Sequence, residues 1–120
     1  MNALRNSVQL IGHLGKTPEL IILEKGRLVV KATLATHETY TSNNGEHITN
    51  THWHNLVAWG RLAENMSRIL EKGTAVLIKG KLVTRSYEDK SGIPKLVTEI
   101  IVSDFFKMQK IKSLDLLIDK

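Results

Sequence analysis

Apolar and polar positions alternate along most of the chain, and the spacing changes to that of a helix in one segment only. Val8-Gln9-Leu10-Ile11-Gly12-His13-Leu14 is rich in β-branched and apolar residues, and Gly15 to Pro18 supplies a turn, which predicts a first strand. Leu20-Ile21-Ile22-Leu23, a charged turn at Glu24-Lys25-Gly26, and the run from Arg27 to Tyr40 continue the β pattern into a long second strand. Leu28, Val30, Ala32 and Leu34 share one parity of that strand. Thr41 to Glu46 is turn chemistry throughout, a hairpin with a mobile tip, after which Ile48 to Trp59 resumes the alternation as a third strand.

Gly60 closes the third strand. Leu62, Met66, Ile69 and Leu70 then fall at i, i+4, i+7 and i+8, one face of a helix over 61–72 that ends before Gly73. Thr74 to Tyr87 and Lys95 to Asp104 read as two further strands joined by a hairpin loop at Glu88-Asp89-Lys90-Ser91-Gly92. The resulting order β, β, β, α, β, β has one short helix between the third and fourth of five strands. That is the arrangement of the OB-fold, an all-β, partly open Greek-key barrel whose face and loops often hold single-stranded nucleic acid. Fold alone does not assign function.

Side-chain chemistry narrows the picture. Trp53 and Trp59 are six residues apart, so the period of a strand puts both rings on one face with Asn55 and Val57. In the fourth strand Tyr87 shares parity with Lys79, Lys81 and Arg85, while Val76, Ile78 and Leu82 take the opposite parity and are expected to face the core. Aromatic rings that stack on bases, beside cations that follow phosphates, are what a single-strand binder needs. The alternative is that both tryptophans fill the barrel and the lysines form a solvated face. Duplex DNA is a poorer ligand for this pattern, because its bases are already stacked and the one helix carries mixed charge at Arg61, Glu64, Arg68, Glu71 and Lys72.

Composition adds limits. With 42% hydrophobic and 24% charged residues over 120 positions, the chain has the make-up of one globular domain, and it excludes a disordered tail or a multidomain enzyme. The net charge of +5 suits a polyanion partner but is also an ordinary route to solubility. The absence of cysteine removes disulfides, thiolate chemistry and cysteine metal sites. No apolar run after Met1 to Asn6 makes a signal peptide, and none approaches the ~20 residues of a membrane span, so a cytoplasmic, nucleoid-associated location is expected. There is no nucleophile elbow, phosphate loop or helix-borne histidine pair, so no enzymatic activity and no cofactor are expected. Glu99 and Asp104 read as strand-end surface charges on opposite faces of one strand, not as a catalytic pair.

The ordered set Val8-Gln9-Leu10-Ile11-Gly12-His13-Leu14-Gly15-Lys16-Thr17-Pro18-Glu19, Leu34-Ala35-Thr36-His37-Glu38, Thr51-His52-Trp53-His54, Gly60-Arg61-Leu62-Ala63-Glu64, Lys72-Gly73, Gly80-Lys81-Leu82, Thr84-Arg85-Ser86-Tyr87 and Thr98-Glu99-Ile100 closely resembles the bacterial single-stranded DNA-binding proteins over roughly residues 4–104. The resemblance implies an OB domain assembled as a homotetramer, over which single-stranded DNA wraps by aromatic stacking and basic tracks. It implies base stacking by Trp53, by Tyr40 and Tyr87 where a relative has tryptophan, and by Trp59 where phenylalanine is usual. Arg61, Lys72 and Arg85 match basic positions of the family, and Lys79 and Lys81 join them as phosphate contacts mainly on parity. His54 matches a histidine that supports subunit assembly; its alternatives are a strand-surface histidine, or a metal ligand with His47 and His52 that no carboxylate or cysteine joins.

The resemblance ends at the C-terminus. Ile111-Lys112-Ser113-Leu114-Asp115-Leu116-Leu117-Ile118-Asp119-Lys120 is neither the acidic tip nor the Phe ending by which family members recruit repair and replication enzymes, which puts tail-mediated recruitment in doubt. Leu114, Leu117 and Ile118 suggest instead a short amphipathic extension over 111–120, after an OB domain over 1–110. The expected function is a non-enzymatic, sequence-tolerant coat for exposed single strands in replication, recombination and repair. The competing function is a protein-interaction module of a replication, transposition or conjugation complex with weak nucleic-acid affinity.

Overall fold

The computed structural model describes residues 5–108, and the amphipathic extension over 111–120 lies outside them. Its strands are β1 (Val8–Leu14), β2 (Glu19–Ile22), β3 (Leu28–Thr41), β4 (His47–Trp59), β5 (Ala75–Glu88) and β6 (Pro94–Lys107), with one helix, α1 (Gly60–Ile69), between β4 and β5. The sheet runs β1-β5-β6-β4-β3-β2, and β1 also pairs with β3 at His13↔Ala35 and Leu14↔Leu34. That last pairing closes five strands into a barrel, as the OB-fold requires. The one parallel contact is β4 with β6, at Leu56↔Ile100 and Val57↔Ile101.

Closure depends on Gly12. A Cβ there would overlap the Ala35 carbonyl oxygen, so only glycine lets β1 cross β3 this closely. Inside the barrel, the expected parity of β3 holds: Val30, Ala32 and Leu34 are buried and Leu28 is half-buried. Val30, Ala32 and Leu34 pack with Leu14, Leu56, Ala58, Val76, Ile78, Ile100 and Val102, and α1 covers one end with Ala63 and Met66.

Several expectations are corrected. The run before the charged turn is not part of the long strand but a separate short strand, β2, which folds back antiparallel on β3 with Ile21 opposite Val29. The reversal is made by Lys25 and Gly26, both at positive φ (64° and 74°). The helix stops at Ile69, three residues early, because Leu70 turns extended and drops into the core; Ala63 takes the buried position expected of Ile69, which is exposed. The last strand runs on to Lys107, since the start of β5 pairs with it through Val76↔Lys107 and Phe105 joins the core. Leu82, expected in the core, is 48% exposed. Past Gly80, β5 leaves the barrel wall as an arm with β6, and the apolar phase loses its cover.

A bulge marks that departure. Lys79 faces Asp104 and Gly80 faces Val102, so Ser103 is the extra residue, and its hydroxyl donates to the Lys79 carbonyl at 3.2 Å. The extra residue shifts the alternation, which brings Asp104 to the same outer face as Glu99 rather than the opposite one.

Truncating a barrel side chain and an arm side chain separates these environments. Leu56→Ala is expected to lower unfolding free energy by about 2–5 kcal/mol, and Leu82→Ala to stay within about 0.5 kcal/mol of the parent, both read by chemical denaturation.

Candidate nucleic-acid interface

The register of the strands places one set of odd-numbered residues on a continuous outer face. Across β3 and β4 the pairs are Val29↔Trp59, Lys31↔Val57, Thr33↔Asn55 and Ala35↔Trp53. Across β5 and β6 they are Lys81↔Ile101, Val83↔Glu99, Arg85↔Val97 and Tyr87↔Lys95. The parallel contact Val57↔Ile101 joins the two halves. The floor is apolar, built from Ile21, Val29, Val57 and Ile101, and the polar rim carries Lys16, Lys31 and Asn55.

Both tryptophans stand on this face and neither fills the barrel: Trp53 is 62% exposed and Trp59 is 43% exposed. Six residues of strand at ~3.4 Å each separate them by about 20 Å, room for several nucleotides between two stacking platforms. Trp53 lies flat across the sheet because Gly15 has no side chain. A Cβ at Gly15 would sit 2.6 Å from Trp53 Cζ3 and 2.7 Å from Thr33 Oγ1. Trp59 is fixed differently, with the Arg27 guanidinium carbon 5.6 Å from its ring centroid, in cation–π range. Arg27, Trp59, Arg61 and Glu64 line one groove at the barrel end.

Tyr87, Lys81 and Arg85 share this face, so their common parity survives folding. Arg85 is not a free cation, however. Its Nε–H donates to Glu99 Oε1 at 2.9 Å and its Nη2 to Oε2 at 3.3 Å, a bidentate pair. The hydrogen bond to Glu99, and then the charge of that carboxylate, raise the already high pKa of Arg85. Glu99 is 7% exposed and mid-strand, which corrects its reading as a strand-end surface charge.

The other expected residues lie elsewhere. Lys79 stands on the outer wall, but around the barrel beside Gln9, Leu77 and Phe106. Arg61 is in the first turn of α1, and Lys72 follows the helix, its backbone N–H donating to Thr17 Oγ1 at 2.9 Å. Tyr40 is exposed on the β3–β4 arm in the opposite phase to Trp53, paired with Ile48. Sequence reasoning missed Arg27, Lys16, Lys31 and Gly15. The signal for Arg27 is the register Val29↔Trp59, which is tertiary information.

His54 sits where the arm leaves the barrel, opposite Leu34, and shares a 2.9 Å hydrogen bond between its Nε2 and Thr36 Oγ1. Burial, and secondarily the charge of His52, hold its pKa below the ordinary 6.5. Among the described residues no group of three or more His, Asp or Glu side chains is arranged to hold a metal ion.

Two outcomes follow. Below about pH 6.5 the unfolded chain protonates His54 more readily than the folded one does, so this residue's contribution to stability falls as pH drops from 7.5 through that value; His54→Gln should flatten that part of the melting-temperature profile. Gly15→Ala should change the tryptophan emission spectrum by displacing Trp53, while far-UV circular dichroism keeps its β signature.

The model for the Single-strand binding protein family matches residues 5–109. The chain is 47% identical over 100 residues to Single-stranded DNA-binding protein 1 of Chlorobaculum tepidum, covering 82% of this chain and 62% of that protein. It is 35% identical over 99 residues to the single-stranded DNA-binding protein of Neisseria meningitidis, covering 82% of this chain and 57% of that one. The chain thus spans about three fifths of the length of these curated relatives. Among solved structures, the Plasmodium falciparum SSB in complex with ssDNA superposes with a TM-score of 0.79 at 33% identity, over 87% of this chain and 95% of that one. A deletion mutant of the single-stranded DNA-binding protein from Thermus aquaticus gives 0.76 at 25% identity, over 87% and 50%. An OB barrel that carries two exposed tryptophans on one strand face, matched by this family along its described length, belongs to the Single-strand binding protein family.

Proposed function

We propose that the chain binds single-stranded DNA without sequence preference and coats exposed strands in replication, recombination and repair. The observation that carries this reading is the placement of Trp53 and Trp59, both exposed, on one open face, with the Arg27 guanidinium against the Trp59 ring. Every base offers a π-face, so stacking on such rings tolerates any sequence. Bases stack on Trp53, Trp59 and Tyr87, and on Tyr40 where the strand passes over the arm. Lys81 and Arg85 contact phosphates on the sheet, with Lys79, Arg61 and Lys72 extending the track around the barrel and past the helix. Glu99 occupies the Nε–Nη2 edge of the Arg85 guanidinium, which leaves Nη1 for phosphate.

The same reading includes self-assembly as a homotetramer with His54 at a subunit contact. Exposed Ile11 and Phe106 on the barrel wall give such a contact apolar area to cover. It also takes residues 1–110 as the binding domain and 111–120 as an extension outside it.

Tryptophan fluorescence during titration with a long oligo-dT tests the binding. Strong quenching by dT, weaker with duplex of equal length, and lost as salt rises, is the expected result. No quenching by folded protein at low salt would favour the interaction-module reading instead. Trp53→Ala is expected to weaken dT affinity by about 1–3 kcal/mol, the scale of one stacked base. Lys81→Ala is expected to reduce the slope of log K against log salt by about 0.7, the value for removing one phosphate contact on a single strand.

A further inference from the structure

The histidines His13 and His37 are not used by the proposed stacking platforms, yet the fold puts them beside one. His13 on β1 and Trp53 on β4 flank the same residue, Ala35 of β3, through the pairs His13↔Ala35 and Ala35↔Trp53. His37 lies two residues further along β3 on the same face, and its ring centroid is 6.3 Å from that of His13, tilted by 47°. Strand spacing of about 4.8 Å sets the backbone of His13 and of Trp53 on either side of Ala35, while the tip of the Trp53 ring reaches to Gly15 beside Thr33. We propose that His13 and His37 form a phosphate subsite for the nucleotide next to the base stacked on Trp53, one that grips the phosphodiester most strongly when the imidazoles are protonated; this rests on the single-strand reading above.

The geometry suits a switchable contact. His37 Nδ1 is 3.0 Å from Thr51 Oγ1. A hydroxyl can donate to a neutral ring nitrogen or accept from a protonated one, so the bond holds the ring in both charge states and leaves Nε2 for a ligand. Histidine is the side chain that changes charge between about pH 5 and 8, and a docked anion favours its protonated form. The cross-strand neighbours are uncharged: Ala35 and Ala75 for His13, Thr51 for His37. On the outer face, the charged groups of the adjoining elements are Lys16 after β1, Lys31 on β3, Lys79, Lys81 and Arg85 on β5, and Glu99 and Asp104 on β6; Lys107 ends β6, His47 stands at the arm's far end, and Glu38, His52 and His54 lie on the reverse face of the arm. Glu38 is engaged by His52 at 3.4 Å and does not compete for this pair.

Oligo-dT titrations of the full chain at pH 8 and pH 6, each across several salt concentrations, test the proposal. At pH 6 the wild-type slope of log K against log salt is expected to steepen by about 0.7 for each further phosphate that the histidines neutralise. In a His13→Gln, His37→Gln variant that steepening should be lost, and its affinity deficit should be larger at pH 6 than at pH 8. His47→Gln, at the arm's far end, should keep the steepening. A double variant that steepens like wild type, or is weakened equally at both pH values, overturns the proposal. Should the double variant not fold, His37→Gln alone carries the test, with the same criteria on its exposed side chain. Failure of wild type to bind at pH 8 would overturn the single-strand reading instead, which is a different result.

Discussion

The long antiparallel pairing of β3 with β4 is the interaction on which the rest of this structure depends. It runs in one unbroken register from Val29↔Trp59 to Thr41↔His47. Because side chains alternate strictly along a strand, this register sends Val30, Leu34, Leu56 and Ala58 inward and Trp53, Trp59, Lys31 and Val57 outward in a single assignment. A slip by one residue would bury the tryptophans and expose the core. The barrel and the binding face are therefore two sides of the same constraint, and neither can be altered alone.

Around that ladder, small residues decide how closely other elements approach. Gly12 lets β1 reach β3 and close the barrel, and Gly15 lets the Trp53 ring lie across the sheet, so one stretch of chain serves both stability and the shape of the platform. Charge is handled locally in the same way. The buried Glu99 is tolerated because Arg85 meets it with two hydrogen bonds, and that pair restricts how Arg85 can present itself to an anion. The cation of Arg27 similarly leans on Trp59 and shapes one side of its ring.

The two arms extend the face beyond the barrel and lose the core's protection as they do so. Leu82 shows the effect most plainly, since its phase is apolar by pattern but the arm offers it nothing to pack against. Its backbone is instead bracketed by Asn6, whose side chain both donates to the Leu82 carbonyl and accepts from its N–H at 2.9 Å. On the other arm, threonine and histidine pairs such as Thr36 with His54 and His37 with Thr51 replace apolar packing with cross-strand hydrogen bonds.

Alternation and turn chemistry by themselves determined five of the six strands, the β3–β4 and β5–β6 hairpins, the single helix and the shared face of Trp53 and Trp59, because these are local consequences of a two-residue or 3.6-residue period. The ordered family residues, spread over most of the chain, carried the OB-fold and single-strand reading. What the chain could not reveal locally is everything that needs a partner strand. The β-bulge at Ser103 moves Asp104 to the face of Glu99, the pairing with the start of β5 draws β6 out to Lys107, and the reversal at Lys25 and Gly26 makes β2 a strand of its own. Arg27 over Trp59, Gly15 under Trp53, the Arg85–Glu99 pair and the meeting of His13 with His37 all join residues far apart in sequence. Periodicity tells which side of a strand a residue takes, but only barrel closure and register decide which residues from other strands it meets there.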